Sequence, residues 1–159
     1  MPGVQVSVVD INPARKIIAK TLGVPFFTEP PRNVNADLVF HASGTPQGLT
    51  SALTVAGVEA TIVDASWYGT RSVALPLGES FHSRRLTIRS SQVSRLHPDR
   101  APRWNRARRM ALALELLRDP RLDALVTGES AFEDLPEVLA KLSRGPGDAL
   151  CHCIRYAMP

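Results

Sequence analysis

VQVSVVDINPARKIIAKTLG, residues 4–23, is the stretch on which the fold is decided. Val4, Val6, Val8 and Val9 are β-branched and closely spaced, and the run stops abruptly at Asp10, which predicts a buried strand. Asn12-Pro13 predicts a helix start, with Asn12 as N-cap and Pro13 at the first helical position. Ile17, Ile18, Thr21 and Leu22 share one apolar face, and Gly23 predicts the stop. The unit is a strand, an acid and a helix.

The same grammar recurs downstream. Val24 to Thr28 (VPFFT) predicts a short strand closed by Glu29-Pro30-Pro31. Asp37 to Ala42 (DLVFHA) predicts a second apolar strand, followed by Ser43-Gly44-Thr45-Pro46 and a helix from Gln47 to Ala56. Leu49, Ala52, Leu53 and Ala56 lie on one face of that helix, Gly57 marks its end, and Ala60 to Ala65 predicts a third strand. Strands alternating with helices of this length imply parallel pairing with right-handed crossovers. The expected fold class is therefore α/β, a Rossmann-like doubly wound, mostly parallel sheet.

Beyond Trp67-Tyr68-Gly69, Ser72 to Leu77 (SVALPL) alternates like an edge strand, and Pro76 keeps it out of a sheet centre. Leu86 to Gln92 is a further strand. Arg103 to Leu117 is strongly helical, with Trp104, Ala107, Met110, Ala111, Leu114 and Leu117 at helical spacing, a stripe expected to be core. After Asp119-Pro120 come a short apolar piece from Leu122 to Val126, a helix running to Leu142, and a closing strand from Ala149 to Tyr156. The expected organisation is a partial dinucleotide-binding domain over residues 1–102, with residues 103–159 packed on it.

Composition bounds the function classes. The 159 residues are 44% hydrophobic and 21% charged, as in ordinary globular proteins, and contain no apolar run of the ~20 residues that a membrane helix needs. The N-terminus lacks the basic and apolar regions of a secretory signal, so the expected location is cytoplasmic. Nine arginines and one acid lie between Arg84 and Arg109, giving that window +8 against +4 for the whole chain. Such a run attracts phosphates in some proteins and is a solvated face in most; only Trp104 interleaves with it, so nucleic acid is not the expected partner. Cys151-His152-Cys153 has the two sulfurs on one face of a strand and His152 on the other, and a single intervening residue is short for a zinc site. Metal ligation is not expected there. No GxSxG turn marks a nucleophilic serine, and no catalytic residue is assigned.

Five words in succession carry a resemblance: VVDINPARKIIAKTLG, DLVFHASGTPQGLTSAL, a strand ending near Asp64, RRLTIRSSQVSR, and LDALVTGESAFEDLPEVLAKL with the closing strand. Together they resemble the coenzyme domain and C-terminal tail of the medium-chain, zinc-type alcohol dehydrogenases. In that family hydride moves between an alcohol carbon and a nicotinamide, with zinc held by a catalytic domain that has no counterpart here. The family's GxGxxG strand-turn, whose helix N-terminus holds the pyrophosphate, is also without a counterpart. The resemblance implies the C-terminal coenzyme-binding portion of such an enzyme, inactive by itself.

The same resemblance implies the site. Asp10 would accept hydrogen bonds from both adenosine ribose hydroxyls and favour NAD over NADP. Ile11 would flank the adenine, and Arg15 would lie near the ribose. Ser43-Gly44 would sit where the chain passes the adenine and ribose, and Asp64 near the nicotinamide side. It also implies a homodimer joined through the Ser72–Leu77 edge. The missing first strand would leave a slot between the strands ending at Asp10 and Ala42, and either a rearranged sheet or a partner, such as a separate N-terminal half, is expected to fill it.

Overall fold

A computed structural model describes residues 3–145 and 147–157. The chain divides into two compact units, Met1–Glu29 with Asn105–Pro159 and, separately, Pro30–Trp104.

The central unit holds the main core. Strands β3 (Ala36–His41), β4 (Ala56–Asp64) and β5 (Thr87–Ser90) form a parallel sheet in that order, crossed by helices α2 (Pro46–Val55) and α3 (Glu79–Ser83). α2 begins as the sequence predicts: Thr45 is its extended N-cap, its hydroxyl accepting from Gly48 N at 3.1 Å, and Pro46 opens the first turn. Leu49, Ala52, Leu53, Ala56, Ala60, Ile62 and Leu86 make one buried cluster, with Leu75, Phe81 and Ile88 packed against it. The apolar face read for this helix is the face it buries.

Gly57 does not end α2. The helix stops at Val55, and Ala56 already belongs to β4. Its last carbonyls are met by a side chain distant in sequence, Arg84, whose guanidinium donates to Ala56 O at 2.7 Å and to Thr54 O at 3.5 Å. Ser72–Leu77 forms no strand; it has no ladder partner among the described residues, half-buries Val73 and Leu75, and ends in a tight turn with Leu77 N donating to Leu75 O at 3.0 Å. Pro76 and the lack of a neighbouring strand account for that.

In the other unit β1 is only Val8–Val9, pairing in parallel with β2 (Phe26–Phe27). The expected buried strand is a correction: Val4, Val6, Val8 and Val9 are all exposed. A parallel strand is buried only when neighbours cover both faces, and here one two-residue partner exists. Helix α1 is Arg15–Thr21, starting two residues later than Pro13. Asn12 instead closes a turn, its Oδ1 accepting from Ala14 N at 3.0 Å. The helix turns Ala19 inward and leaves Ile17 and Thr21 exposed, while Gly23 ends it at φ +72° as expected.

A 3-10 helix at Pro120–Leu125 leads into β6 (Val126–Ala131), which pairs in parallel with β7 (Cys151–Arg155) around helix α5 (Leu135–Arg144). The sequence reading found β7 and missed β6, whose Thr127-Gly128-Glu129-Ser130 centre carries no apolar alternation. Helix α4 (Arg106–Leu116) is present, but the expected burial of its stripe is overturned: Met110, Leu114 and Leu117 are each about three-fifths exposed. Helical spacing reports a face that suits a core, not the presence of one. Among the described residues the strands thus lie in three separate parallel sheets, not in one rearranged sheet.

Candidate functional site

His41 and Asp64 occupy matching positions at the carboxyl ends of neighbouring parallel strands β3 and β4. The pairing register therefore brings the two side chains together, with His41 Nδ1 2.9 Å from Asp64 Oδ1. Among the described residues His41 is the one polar residue in the buried set, and the Asp64 side chain is 14% exposed. A buried imidazole needs partners for both nitrogens. Nε2 finds Ser43 Oγ at 2.8 Å, two residues along the same chain, in the turn between β3 and α2.

The remaining bonds orient this chain in one direction. Thr45 Oγ1 accepts from Gly48 N, so its proton is free to point at Ser43 Oγ, 2.9 Å away. Ser43 O–H then donates to His41 Nε2, and Nδ1–H donates to Asp64. Asp64 Oδ1 also accepts from Ser66 N at 3.0 Å, and Ser66 Oγ accepts from Gly44 N at 3.0 Å. Burial pushes the Asp64 carboxyl up, but the hydrogen bonds from His41 and Ser66 outweigh it and hold the group below the ordinary aspartate range. Tyr68 closes the inner side, its ring stacked on His41 at 6.4 Å, and burial beside the Asp64 charge raises its phenol. The outer end is open, for Ser43 and Thr45 are exposed.

Gly48 makes this arrangement possible. A Cβ built there would lie 2.0 Å from Ser43 Oγ and 2.9 Å from His41 Nε2. Gly48→Ala is therefore expected to expel the Ser43 hydroxyl from His41. The helix-propensity gain of about 1 kcal/mol offsets much of the packing strain. The expected result is a thermal midpoint within a few degrees of the parent and a lost Ser43–His41 hydrogen bond, read from the His41 imidazole nitrogen shifts by NMR. Unchanged nitrogen shifts would contradict it.

The sequence-predicted residues are distributed over both units. Asp10 sits half-buried at the end of β1, its Oδ1 accepting from Asn12 N at 2.8 Å, and Ile11 beside it is 90% exposed. Arg15 is engaged within its own unit: its guanidinium donates to Asp148 O at 2.7 Å and Ala149 O at 3.0 Å, while Asn12 Nδ2 donates to Asp148 Oδ1. Ser43, Gly44 and Asp64 lie together in the central unit, Gly44 at φ +66° with open space around it. For a dinucleotide the fit is partial. Asp10, Ile11 and Gly44 are presented for contact, whereas Arg15 and Asp64 are committed to protein partners, and no described loop supplies a pyrophosphate cradle.

The other candidates resolve simply. Arg84 caps α2 and Arg85 pairs with Glu59 at 3.2 Å, so part of the arginine run serves the fold. His152 Nε2 meets Ser130 Oγ at 3.0 Å. Burial and the adjacent Cys151 push the Cys153 thiol up, away from the reactive thiolate. Among the described residues no three His, Cys, Asp or Glu converge as metal ligands, and no helix is long and apolar enough to cross a membrane. The His41–Ser43–Asp64 constellation was missed as such by the sequence reading. Its signal was present in two apolar strands that end at matching register in FHAS and VDAS.

The parallel α/β arrangement is a Rossmann-like fold of the dehydrogenase type. Superposition gives a TM-score of 0.68 with L-idonate 5-dehydrogenase from Escherichia coli, at 17% identity over 98% of this chain and 43% of that one. Galactitol-1-phosphate dehydrogenase from Escherichia coli gives 0.71 at 19% identity, over 91% of this chain and 44% of that one. A protein described as a short chain alcohol dehydrogenase from E. coli, solved in complex with the cofactor NADH, gives 0.65 at 18% identity over 97% of this chain and 44% of that one. The chain spans less than half the length of these enzymes. The family resemblance read from the sequence is matched by these structural neighbours. No protein-family model and no curated protein matches the sequence.

Proposed function

We propose that this chain is the C-terminal, coenzyme-binding portion of an NAD-dependent oxidoreductase that moves hydride between an alcohol carbon and nicotinamide. The observation that carries the reading is Asp10. It stands at the carboxyl end of β1 ahead of α1, with Oδ2 making no hydrogen bond among the described residues. A ribose diol needs an acceptor of that kind, and its charge disfavours a 2′-phosphate. Ile11, 90% exposed beside Asp10, offers the adenine an apolar surface.

The phosphate loop and the zinc-bearing catalytic domain belong, in this reading, to an N-terminal half, either covalently joined or a separate chain. β3 ends its sheet with an edge that is unpaired among the described residues, and a parallel strand from that half pairs there. Without it the chain transfers no hydride. Ser72–Leu77, without a ladder partner among the described residues, is the segment we assign to a homodimer contact, and the assembly is cytoplasmic.

Calorimetry with NAD, NADP and Asp10→Ala tests the reading. Loss of two charge-assisted hydrogen bonds weakens binding by about tenfold or more. NAD is expected to bind more tightly than NADP, with Asp10→Ala removing the preference. Absence of heat with either nucleotide, in a chain whose folding is verified by circular dichroism, would reject binding by this portion on its own.

A further inference from the structure

We propose that Ser43 is an activated nucleophile that accepts an acyl group from small activated esters or thioesters, with His41 as its general base and Asp64 as the residue that orients the imidazole. The inference stands on the central unit alone and does not depend on the coenzyme reading. Three features of the geometry support it.

The three groups stand in series, Ser43 Oγ to His41 Nε2 at 2.8 Å and His41 Nδ1 to Asp64 Oδ1 at 2.9 Å, both within reach for proton transfer. The tautomer is set by the surroundings. Asp64, accepting from Ser66 N as well, has no proton to give to Nδ1 and stands nearer to it, at 2.9 Å, than the Ser66 and Tyr68 hydroxyls at 3.2 and 3.4 Å, so the charge-assisted Nδ1–H to Asp64 bond is favoured and Nε2 presents its lone pair to the serine. The exposure is graded as the chemistry requires: Asp64 and His41 are enclosed, and the serine is open to solvent.

A structural serine does not need this setting. It would be satisfied by Thr45 alone, yet Gly48 leaves a helix position bare so that Ser43 Oγ fits against His41. α2 starts immediately after this turn, and the positive end of its dipole favours negative charge on a carbonyl oxygen held beside Ser43.

The step balances without a cofactor. Ser43 Oγ attacks the carbonyl carbon while its proton passes to His41 Nε2. The imidazolium then protonates the departing alkoxide or thiolate as the carbon–oxygen or carbon–sulfur bond breaks. Water attacks the acyl-serine, gives a proton to His41, and releases the carboxylic acid as Ser43 recovers its hydrogen. The open surface suits small substrates rather than long acyl chains.

The test is reaction of the full chain with a fluorophosphonate probe and with p-nitrophenyl acetate, the labelled residue being identified by peptide mass spectrometry. One phosphonyl group on Ser43 and a stoichiometric burst of p-nitrophenol are expected. Ser43→Ala is expected to abolish both. Asp64→Asn, which keeps the side-chain shape, is expected to slow labelling at least tenfold, and His41→Gln at least a hundredfold, the range lost with a general base. Circular dichroism of each variant separates lost reactivity from lost fold. An unlabelled parent chain, label on another residue, or equal rates in folded Asp64→Asn would overturn the proposal. If His41→Gln and Asp64→Asn both unfold, the parent's Ser43 labelling relative to exposed Ser94 decides: selectivity below tenfold overturns it.

Discussion

Ile62→Ala is expected to cost about 2–5 kcal/mol of folding stability. Ile62 lies in the middle of β4, the central strand of its sheet, and is fully buried. Truncation removes three carbons from a site walled by α2 on one side and by sheet backbone on the other, where collapse into the cavity is hindered. The loss should appear as a lower denaturant midpoint at unchanged slope for the β3–β5 unit, with faster amide exchange in β3, β4 and β5. Ile17→Ala supplies the contrast. Ile17 is 71% exposed on α1, and its truncation should change stability by less than about 0.5 kcal/mol. Similar losses for both variants would mean that the buried cluster does not hold the central unit together.

That contrast also explains which parts of the fold were legible in the sequence. The α2 segment was read almost to the residue because every local signal agreed there. Thr45-Pro46 supplies a cap and a pre-set first turn, and Leu49, Ala52 and Leu53 face a sheet that this same chain provides. Val4 to Val9 carries an equally strong strand signal, yet only Val8–Val9 pairs, because a ladder needs a neighbour and the local sequence says nothing about who supplies it. The α4 stripe failed for the same reason. Met110 and Leu114 fall on one helical face that stays about three-fifths exposed. Hydrophobic pattern encodes what a segment requires; burial depends on what else is there.

The candidate site divides along the same line. Asp10 was legible because its meaning is local, an acid between a strand and a helix. Ser43 and Gly44 entered through the family resemblance, as the place where the chain passes the adenine and ribose. The bond between His41 and Asp64 was not, because it depends on register: a shift of one residue between β3 and β4 would turn His41 and Asp64 to opposite faces.

The second large effect follows from that partnership. Asp64→Ala is expected to cost about 1–3 kcal/mol, because it leaves a buried His41 N–H with only the longer contacts to the Ser66 and Tyr68 hydroxyls, at 3.2 and 3.4 Å among the described residues, to accept it. The pH dependence has a definite sign. The folded Asp64 carboxyl is held below its ordinary value of about 4, so the folded state binds its proton more weakly than the unfolded chain does. Its contribution is complete above about pH 4 and is lost as pH falls through the folded value. Asp119, held to about 2 by Arg121, and Glu129, lowered by Arg155, act in the same direction, but both are exposed pairs whose effect is small. Subtracting the acid unfolding curve of Asp64→Asn from that of the parent chain isolates the Asp64 part. The asparagine retains an oxygen for Nδ1–H and Ser66 N and has no proton to gain, so the difference should shrink steadily below pH 4. A difference independent of pH would mean that Asp64 serves by shape alone. In that case the carboxylate charge would have no part in orienting His41 toward Ser43.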